Sequence, residues 1–279
     1  MSKGVVLIAN NNGTVDYVKQ AIYCAGRIKK YLNLPVTLIT DSEDYVSKIA
    51  HDVFDKVIST DYRNVENKKF YFDGALSHKI LMFKNYSRST AYHLSPYDKT
   101  ILMDTDYILS NSILNNCFDM DSNLMMYKES VDIAQVRDER EFEYISDKGI
   151  DFYWATVVYF EKNEKNDIYF NLIDHIEENW NYYQSIYDIN ADLFRNDFAF
   201  SIAIHIMNGF QSNNEIVDKL PGKHYYTTDR DVAWKINNDY LMFLVQKKNF
   251  EGQYTAISTS GLNVHIMNKF SLGRIIDNE

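Results

Sequence analysis

Cysteine is scarce in this sequence, and so are proline and glycine. The two cysteines, Cys24 and Cys117, cannot form a disulfide framework or a zinc site built from several thiolates. Cys24 has apolar neighbours at helical spacing, which predicts a buried and unreactive thiol. With three prolines and ten glycines in 279 residues, we find no linker, low-complexity tract or internal repeat. A single domain over residues 1–279 is therefore predicted.

Long apolar runs are also missing. No segment reaches the roughly 18–20 apolar residues that a membrane span requires. The run Val5–Ala9 is too short for a signal peptide and ends in Asn10, Asn11 and Asn12. These absences predict a soluble, cytoplasmic protein. The abundant Asn, Lys, Ile and Tyr suit an AT-rich genome, which predicts the cytoplasm of a bacterium or of a phage-infected host.

Positive charge is in deficit, with a formal net charge of −10. Proteins dedicated to duplex DNA usually carry a basic face, and none is visible in the sequence. A net negative surface gives no electrostatic help with polyanions. The hydrophobic share of 46% and the charged share of 24% indicate a folded chain with a substantial core rather than disorder.

The first forty residues read as strand, helix and strand. Gly4–Ala9 is a Val- and Ile-rich run of the kind found in buried strands. Thr14 is a candidate helix cap, with Asp16 in the first turn, and apolar residues then recur at helical spacing to about Asn33. Val36–Thr40 is a second strand. This order predicts a right-handed crossover and a parallel sheet, hence an α/β fold.

The rest of the chain continues this alternation less regularly. Further strands are predicted at Val53–Ile58, Thr100–Met103, Asn123–Tyr127 and Trp154–Phe160, and helices at Ala75–Tyr86, Ile168–Tyr183 and Asp197–Met207. The last of these helices is apolar nearly all round, which predicts burial. The last sixty residues alternate turns and short strands and form a C-terminal extension.

Two polar clusters follow predicted strands, where ligands bind in open α/β sheets. One is Asn10-Asn11-Asn12. The other is Asp104-Thr105-Asp106, which lies between the apolar runs Ile101–Met103 and Tyr107–Leu109. Two carboxylates spaced in this way supply the hard oxygen ligands that suit Mg²⁺ or Mn²⁺. Such an ion bridges phosphates and neutralises a leaving diphosphate. The alternative is a turn with two solvated aspartates.

The apolar strand that ends in Asp104-Thr105-Asp106 resembles the GT-A glycosyltransferases. Within them it is most similar to the family 8-like enzymes related to glycogenin and the lipopolysaccharide galactosyltransferases. This resemblance implies a Rossmann-like, mixed and mainly parallel sheet flanked by helices. In the segment Val264–Lys269 it implies His265 as a third metal ligand beside Asp104 and Asp106, and Lys269 as a phosphate contact.

The resemblance also implies roles for residues nearer the start of the chain. Asn10 and Asn11 would contact the nucleotide, or simply form the turn before the helix. Lys79, placed on the predicted helix before the metal strand, would contact the donor phosphate or sugar, or be a solvated lysine.

Two further positions concern the reacting sugar and the acceptor. Trp154 stands where the family has asparagine, and it would stack on a sugar face or pack in the core. Asn196 and Asp197 fall where the family has an Asp-Gln pair beside the transferred sugar. Asp197 would stabilise oxocarbenium charge, orient the acceptor or, in an inverting enzyme, act as general base. Capping of the helix start is its alternative role.

The sequence therefore predicts a metal-dependent transfer of sugar from a nucleoside-diphosphate donor, uridine-linked as first choice, to a hydroxyl acceptor. Residues 1–110 would bind the nucleotide sugar, and residues 111–279 would hold the acceptor side and the extension. A phage enzyme acting on hydroxymethylated DNA bases is an alternative acceptor assignment. A nucleotidyltransferase and a non-catalytic sugar-binding scaffold are the alternatives from other classes.

Overall fold

A computed structural model describes residues 1–50, 52–61, 67–84, 87–135, 142–146, 149–190, 193–211 and 215–278. The strands are β1 Lys3–Ile8, β2 Val36–Thr40, β3 Lys56–Ser59, β4 Lys68–Phe72, β5 His78–Met82, β6 Lys99–Met103, β7 Tyr107–Ile108, β8 Leu124–Tyr127, β9 Ser130–Asp132, β10 Trp154–Glu161, β11 Asp218–Lys219, β12 His224–Thr227, β13 Val232–Asn237, β14 Tyr240–Gln246, β15 Tyr254–Ser260 and β16 Val264–Ile266. The helices are α1 Tyr17–Tyr31, α2 Glu43–Ile49, α3 Thr90–Leu94, α4 Glu164–Glu178, α5 Trp180–Ile186, α6 Asn196–Met207 and α7 Lys269–Ile276, with a 3₁₀-helix at Ile113–Asp119.

A seven-stranded sheet forms the centre of the fold, in the order β11-β8-β10-β6-β1-β2-β3. β1 pairs in parallel with β2 and β6, and β10 runs antiparallel to both β6 and β8. Val5, Val6 and Leu7 of β1 are fully buried, as expected for a central strand covered on both faces. The predicted α/β fold, a mixed and mainly parallel sheet flanked by helices, is confirmed.

The N-cap of helix α1 lies two residues later than predicted. The Asp16 side chain, not that of Thr14, caps it by accepting a hydrogen bond from the backbone N–H of Lys19 at 3.0 Å. The backbone N–H of Thr14 instead donates to Asn12 Oδ1 at 3.1 Å. The Asn12 side chain thus forms a turn with the backbone of Thr14, and the helix starts after that turn.

The predicted helix Ala75–Tyr86 is wrong, because this segment contains the second strand of a β-hairpin. β4 and β5 pair antiparallel, with Phe70 opposite Ile80. Gly74 takes a φ of 76° in the connecting turn, a backbone conformation that favours glycine. Short apolar runs fit both the helical and the strand period, so the pairing of β5 with β4 is what makes this segment a strand. The last two residues of the prediction, 85 and 86, lie outside the described residues.

The predicted helix Ile168–Tyr183 is two helices. α4 ends at Glu178 and α5 begins at Trp180, because the φ and ψ of Asn179 between them, −113° and 32°, leave the helical region. The buried face of α4 packs on α6. As predicted, α6 is buried nearly all round, over Asn196 and the run Phe198–Ile204.

The C-terminal extension forms a second, smaller layer with its own apolar cluster, which includes Phe243, Ile266 and Leu272. A four-stranded sheet has the order β7-β16-β12-β9, and a meander has the order β13-β14-β15. Because β7 follows β6 directly in the chain, this small sheet is tied to the end of the central one. Within the described ranges, no helix is both long and apolar enough to cross a membrane.

Candidate metal and substrate site

The Asp104-Thr105-Asp106 turn is fixed between two sheets. The backbone N–H of Asp104 donates to Thr156 O of β10 at 2.9 Å. On the other side, the backbone N–H of Ile266 donates to Asp106 O at 2.9 Å. The two carboxylates therefore sit on backbone held at both ends, at the carboxyl end of β6, where α/β sheets bind ligands.

His265 reaches these carboxylates through strand pairing. β16 runs antiparallel to β7, which places His265 opposite Tyr107. Its Nε2 lies 3.2 Å from Asp106 Oδ2, and its Nδ1 lies 3.3 Å from Thr156 Oγ1. Ligand atoms of Asp104, Asp106 and His265 all lie within 4.8 Å of one another. The structure thus brings the three predicted ligands together.

Burial sets the protonation state of the histidine. His265 is 7% exposed, and burial lowers its pKa below the ordinary value. The imidazole is therefore neutral near pH 7, which is the form that binds metals. Two carboxylates and one imidazole make a donor set that fits Mn²⁺ or Mg²⁺.

Two cations pair with the carboxylates of the cluster. Arg88, just before α3, forms an ion pair with Asp104, and Lys269, at the start of α7, forms one with Asp106. The Arg88 and Lys269 side chains are only 7% and 14% exposed. Burial lowers the pKa of Lys269, and the Asp104 carboxylate acts in the opposite direction. Lys269, the predicted phosphate contact, lies at the metal cluster.

A cavity of about 600 Å³ opens beside the cluster. Its walls come from the β4 strand, the start of β10, the segment leading into α6, and the two segments that carry the predicted metal ligands. Its lining residues include Lys69, Tyr71, Arg88, Asp104, Asp106, Trp154, Arg195, Asn196, Asp197, Asp229, His265 and Lys269. Elements distant in the sequence therefore converge on one space large enough for a small ligand.

Asn196 and Asp197 line this cavity at the start of α6. Asp197 Oδ1 accepts a hydrogen bond from the backbone N–H of Ala155 at 2.9 Å, and Oδ2 accepts one from Arg195 at 2.9 Å. Asn196 Oδ1 accepts from the backbone N–H of Arg88 at 3.4 Å. Both carboxylate oxygens of Asp197 thus accept hydrogen bonds, which fixes the carboxylate at the cavity wall.

Trp154 borders the cavity and is 1% exposed. Its ring packs against His224, with centroids 4.6 Å apart, and against Phe152 at 5.2 Å. The sequence analysis left two roles open for Trp154, packing in the core and stacking on a sugar face. These contacts correspond to the first. An acceptor contact by Trp154 stays a prediction.

Asn10 and Asn11 hold the turn that follows β1. Asn10 Oδ1 accepts from the backbone N–H of Asp41 at 2.9 Å, and Asn11 Oδ1 accepts from that of Val18 at 3.1 Å. Asn10 also borders a second cavity of about 380 Å³ near the ends of β1 and β2. Their predicted nucleotide contacts stay predictions.

Lys79 lies outside the site. It is exposed on β5, with its Nζ 5.7 Å from the ring centroid of Phe270, and it does not line the larger cavity. Its donor contact stays a prediction that this placement does not support. The basic residue before the metal strand that does reach the cluster is Arg88.

Comparison with known proteins finds similar solved structures. No protein-family model matches the chain, and no curated protein matches it. The chain is similar to solved glycosyltransferases.

Glycosyltransferase GlyE of Streptococcus pneumoniae is 12% identical, with a TM-score of 0.43 over 79% of this chain and 45% of its own. Galactosyltransferase LgtC, solved with donor and acceptor sugar analogs, is 13% identical, with a TM-score of 0.42 over 77% and 72%. Bifunctional IspDF of Campylobacter jejuni is 11% identical, with a TM-score of 0.39 over 80% and 50%. The chain thus spans about half of GlyE and IspDF. Because these similarities are low, we base function on the site alone.

Sequence reasoning missed several cavity residues. Arg88 carried a usable signal, because a basic residue in the polar segment Ser87–Thr90 precedes the metal strand. Lys69 was hidden by the wrong assignment of the hairpin, which left β4 unpredicted. No local sequence pattern links Asp229 to the cavity.

Proposed function

We propose that the protein is a metal-dependent glycosyltransferase that moves a sugar from a nucleoside-diphosphate donor to a hydroxyl acceptor. A uridine-linked donor is the first candidate, on the resemblance noted in the sequence. The observation that carries this proposal is the cluster of Asp104, Asp106 and His265 at the wall of a cavity, with Arg88 and Lys269 beside it. Carboxylates, imidazole and cations together suit a metal-bound diphosphate.

Formal charge in the cavity supports the need for a divalent ion. Apart from the exposed Lys68, the described part of the lining has four cationic and four acidic side chains: Lys69, Arg88, Arg195, Lys269, Asp104, Asp106, Asp197 and Asp229. These charges cancel, so the two negative charges of a donor diphosphate would be uncompensated. A divalent ion would supply the matching two positive charges, and the Asp104 and Asp106 carboxylates would hold it.

The chain's own residues account for the remaining steps. Transfer breaks the bond between the anomeric carbon and the diphosphate oxygen, and the electron pair leaves with the diphosphate. A metal held by Asp104, Asp106 and His265 supplies charge neutralisation at that leaving group. Arg88 and Lys269 would donate hydrogen bonds to phosphate oxygens.

Asp197 would act on the sugar. Its carboxylate, held by Ala155 and Arg195, would stabilise the positive charge that develops at the anomeric carbon. The acceptor oxygen forms the new glycosidic bond, and its proton goes to the departing diphosphate. Because both Asp197 oxygens already accept hydrogen bonds, we favour charge stabilisation over proton acceptance. Asn196 would position Arg88 through their 3.4 Å contact.

The division of labour along the chain follows from this assignment. Residues 1–110 would supply most donor contacts, including Arg88 and Asp104. Residues 111–279 would supply the acceptor side, with Trp154 and Asp197. The metal site draws on both halves, because His265 belongs to the second.

The test is ligand-dependent thermal unfolding with a panel of nucleotide sugars, with and without Mn²⁺ or Mg²⁺. We would compare the wild type with Asp106→Asn, and with Asp121→Asn as a control that removes one exposed carboxylate. A donor at 100 times its dissociation constant adds about 2.7 kcal/mol of stability. We expect one nucleotide sugar to stabilise the wild type and the control only with metal, and Asp106→Asn to lose the effect.

A second readout is release of free nucleoside diphosphate from the selected donor. If no nucleotide sugar stabilises the wild type under any metal condition, the glycosyltransferase proposal fails. If Asp106→Asn responds to donor and metal as the wild type does, the metal assignment fails even though donor binding stands.

A further inference from the structure

The β4 strand presents a lysine to the cavity from the wall that the sequence did not predict. Along β4, exposure alternates, with Lys68 and Phe70 exposed while Lys69 is half-buried and Tyr71 buried. Alternating residues of a strand face opposite sides. Lys69 and Tyr71 therefore share the more buried face, and both line the cavity.

Contacts with α1 and α7 hold the β4–β5 hairpin in place. The hydroxyls of Tyr71 and Tyr17 lie 3.1 Å apart, which joins β4 to α1. At the tip of the hairpin, Arg274 donates to both carboxylate oxygens of Asp73 at 2.7 and 2.8 Å. The Lys69 ammonium packs against the rings of Tyr71 and Phe83, and its Nζ lies 4.4 Å from the centroid of Phe83. Its position in the cavity is thus defined by packing.

Among the cavity cations that are not exposed, Lys69 differs from the other three in having no ion pair with any described residue. Arg88 pairs with Asp104, Lys269 with Asp106, and Arg195 with Asp197. A half-buried ammonium without a carboxylate partner retains part of its desolvation cost. An anion bound in the cavity would offset that cost.

The directions of the pKa shifts agree with a position of Lys69 near the metal cluster. Burial lowers the pKa of Lys69, and the positive charge of Arg195 lowers it further. The Lys69 charge in turn contributes to lowering the pKa of Lys269 and of His265. Lys69 therefore acts on the same part of the cavity as the predicted metal ligands.

We propose that Lys69 is a donor-binding residue that contacts the diphosphate from the hairpin wall. This inference rests on the proposed function, because it assigns to Lys69 the anion that the metal cluster also binds. In the bound state, the diphosphate lies between the metal cluster and Lys69, and its oxygens accept hydrogen bonds from the ammonium. The hairpin is then part of the binding site and not only a cover over the cavity.

The test compares two anions, UDP and inorganic pyrophosphate, by calorimetric titration in the presence of Mg²⁺. The variants are Lys69→Gln, which removes the charge, and Lys69→Arg, which keeps it. Lys235→Gln is the matched control, because it removes an exposed lysine of β13 outside the cavity. Melting temperatures establish that each variant is folded.

We expect Lys69→Gln to weaken both ligands by a similar factor, about 10- to 100-fold, as for loss of one charged hydrogen bond. Lys69→Arg retains most of the affinity, and Lys235→Gln binds as the wild type does. A structural defect of the hairpin would weaken Lys69→Arg as much as Lys69→Gln. It would also affect UDP more than pyrophosphate, because pyrophosphate lacks the nucleoside.

The failures of the two proposals are distinguishable. If the wild type binds UDP and Lys69→Gln binds it within about twofold, the Lys69 assignment is wrong and the proposed function stands. The Lys69 assignment is also wrong, and the proposed function again stands, if Lys69→Arg binds UDP as weakly as Lys69→Gln does. If the wild type binds neither UDP, pyrophosphate nor any nucleotide sugar of the panel, both proposals are overturned.

Discussion

Replacing Asp106 with asparagine in metal-free protein should lower the free energy of unfolding by about 3–4.5 kcal/mol. Only 2% of the Asp106 side chain and 14% of the Lys269 side chain are exposed. Asparagine keeps the shape of the side chain but removes its charge. The Lys269 ammonium then stays in a buried position without the carboxylate that faced it.

Deprotonation of Lys269 sets the upper limit of this cost. Burial lowers the pKa of Lys269, so the unpaired ammonium of the variant can lose its proton. An unfolded lysine has a pKa of about 10.4, about 3.4 units above pH 7, and at 1.36 kcal/mol per unit its deprotonation at pH 7 costs about 4.6 kcal/mol. A larger loss would require a cause other than the unpaired ammonium.

The assay is urea unfolding in EDTA, followed by circular dichroism. Asp277→Asn is the control, because the Lys19–Asp277 ion pair has side chains 45% and 58% exposed. The control should cost less than about 1 kcal/mol. The double variant Asp106→Asn/Lys269→Met should return to within about 1 kcal/mol of wild type, because it leaves no unpaired charge. Equal losses in Asp106→Asn and Asp277→Asn, or a double variant as unstable as Asp106→Asn, would refute the reasoning.

Three further predictions concern the scaffold. Gly4→Ala should cost about 1–3 kcal/mol in urea unfolding, because its new Cβ would lie 2.4 Å from Tyr97 Cζ; a loss below about 0.5 kcal/mol contradicts this. Burial raises the pKa of both Cys24 and Cys117 to about 12, so neither thiol should react with a thiol reagent at pH 8 until urea is added. Arg274 lowers the pKa of Asp73 from 3.8, so Asp73→Asn should cost up to about 1 kcal/mol at pH 7. That difference should shrink as the pH falls below 3.8 and through the lowered pKa, where native Asp73 also becomes protonated; a difference that stays constant as the pH falls below 3.8 contradicts the ion pair.

The two cations beside the metal cluster also explain how the carboxylates can stay buried. Asp106 is 1% exposed, and a buried charge without a partner would shift its pKa or destabilise the fold. Lys269 and Arg88 supply that partnership in the metal-free chain. Metal binding would therefore compete with these ion pairs, and the donor diphosphate would offer the displaced cations a new anion.

Local pattern was sufficient for the elements that lie within one continuous apolar run. β1, β2 and β6 are buried on both faces, and the sequence predicted each of them from its composition alone. Helix α1 was equally clear, because its apolar residues recur along one face. Asp104-Thr105-Asp106 could be identified as a strand end for the same reason, since apolar residues border it on both sides.

The hairpin β4–β5 shows why other segments could not be predicted in this way. Its apolar residues are few and fit either the helical or the strand period. What selects the strand is pairing across the hairpin and the anchoring of its tip to Arg274 and Tyr254. Those contacts join residues some 180 to 200 positions apart (Ala75 to Tyr254, Asp73 to Arg274), and no window of the sequence contains them.

The sequence by itself therefore determined the α/β alternation, the sheet centre and the aspartate pair at the end of β6. Tertiary structure decided which cations meet those aspartates. It paired Arg88 with Asp104 and Lys269 with Asp106, left Lys79 outside the site, and brought His265 to Asp106 through the pairing of β7 with β16. The physical reason is that periodicity encodes which face of an element is buried. Which charged groups face one another depends on how distant elements pack, and desolvation makes that choice energetically decisive.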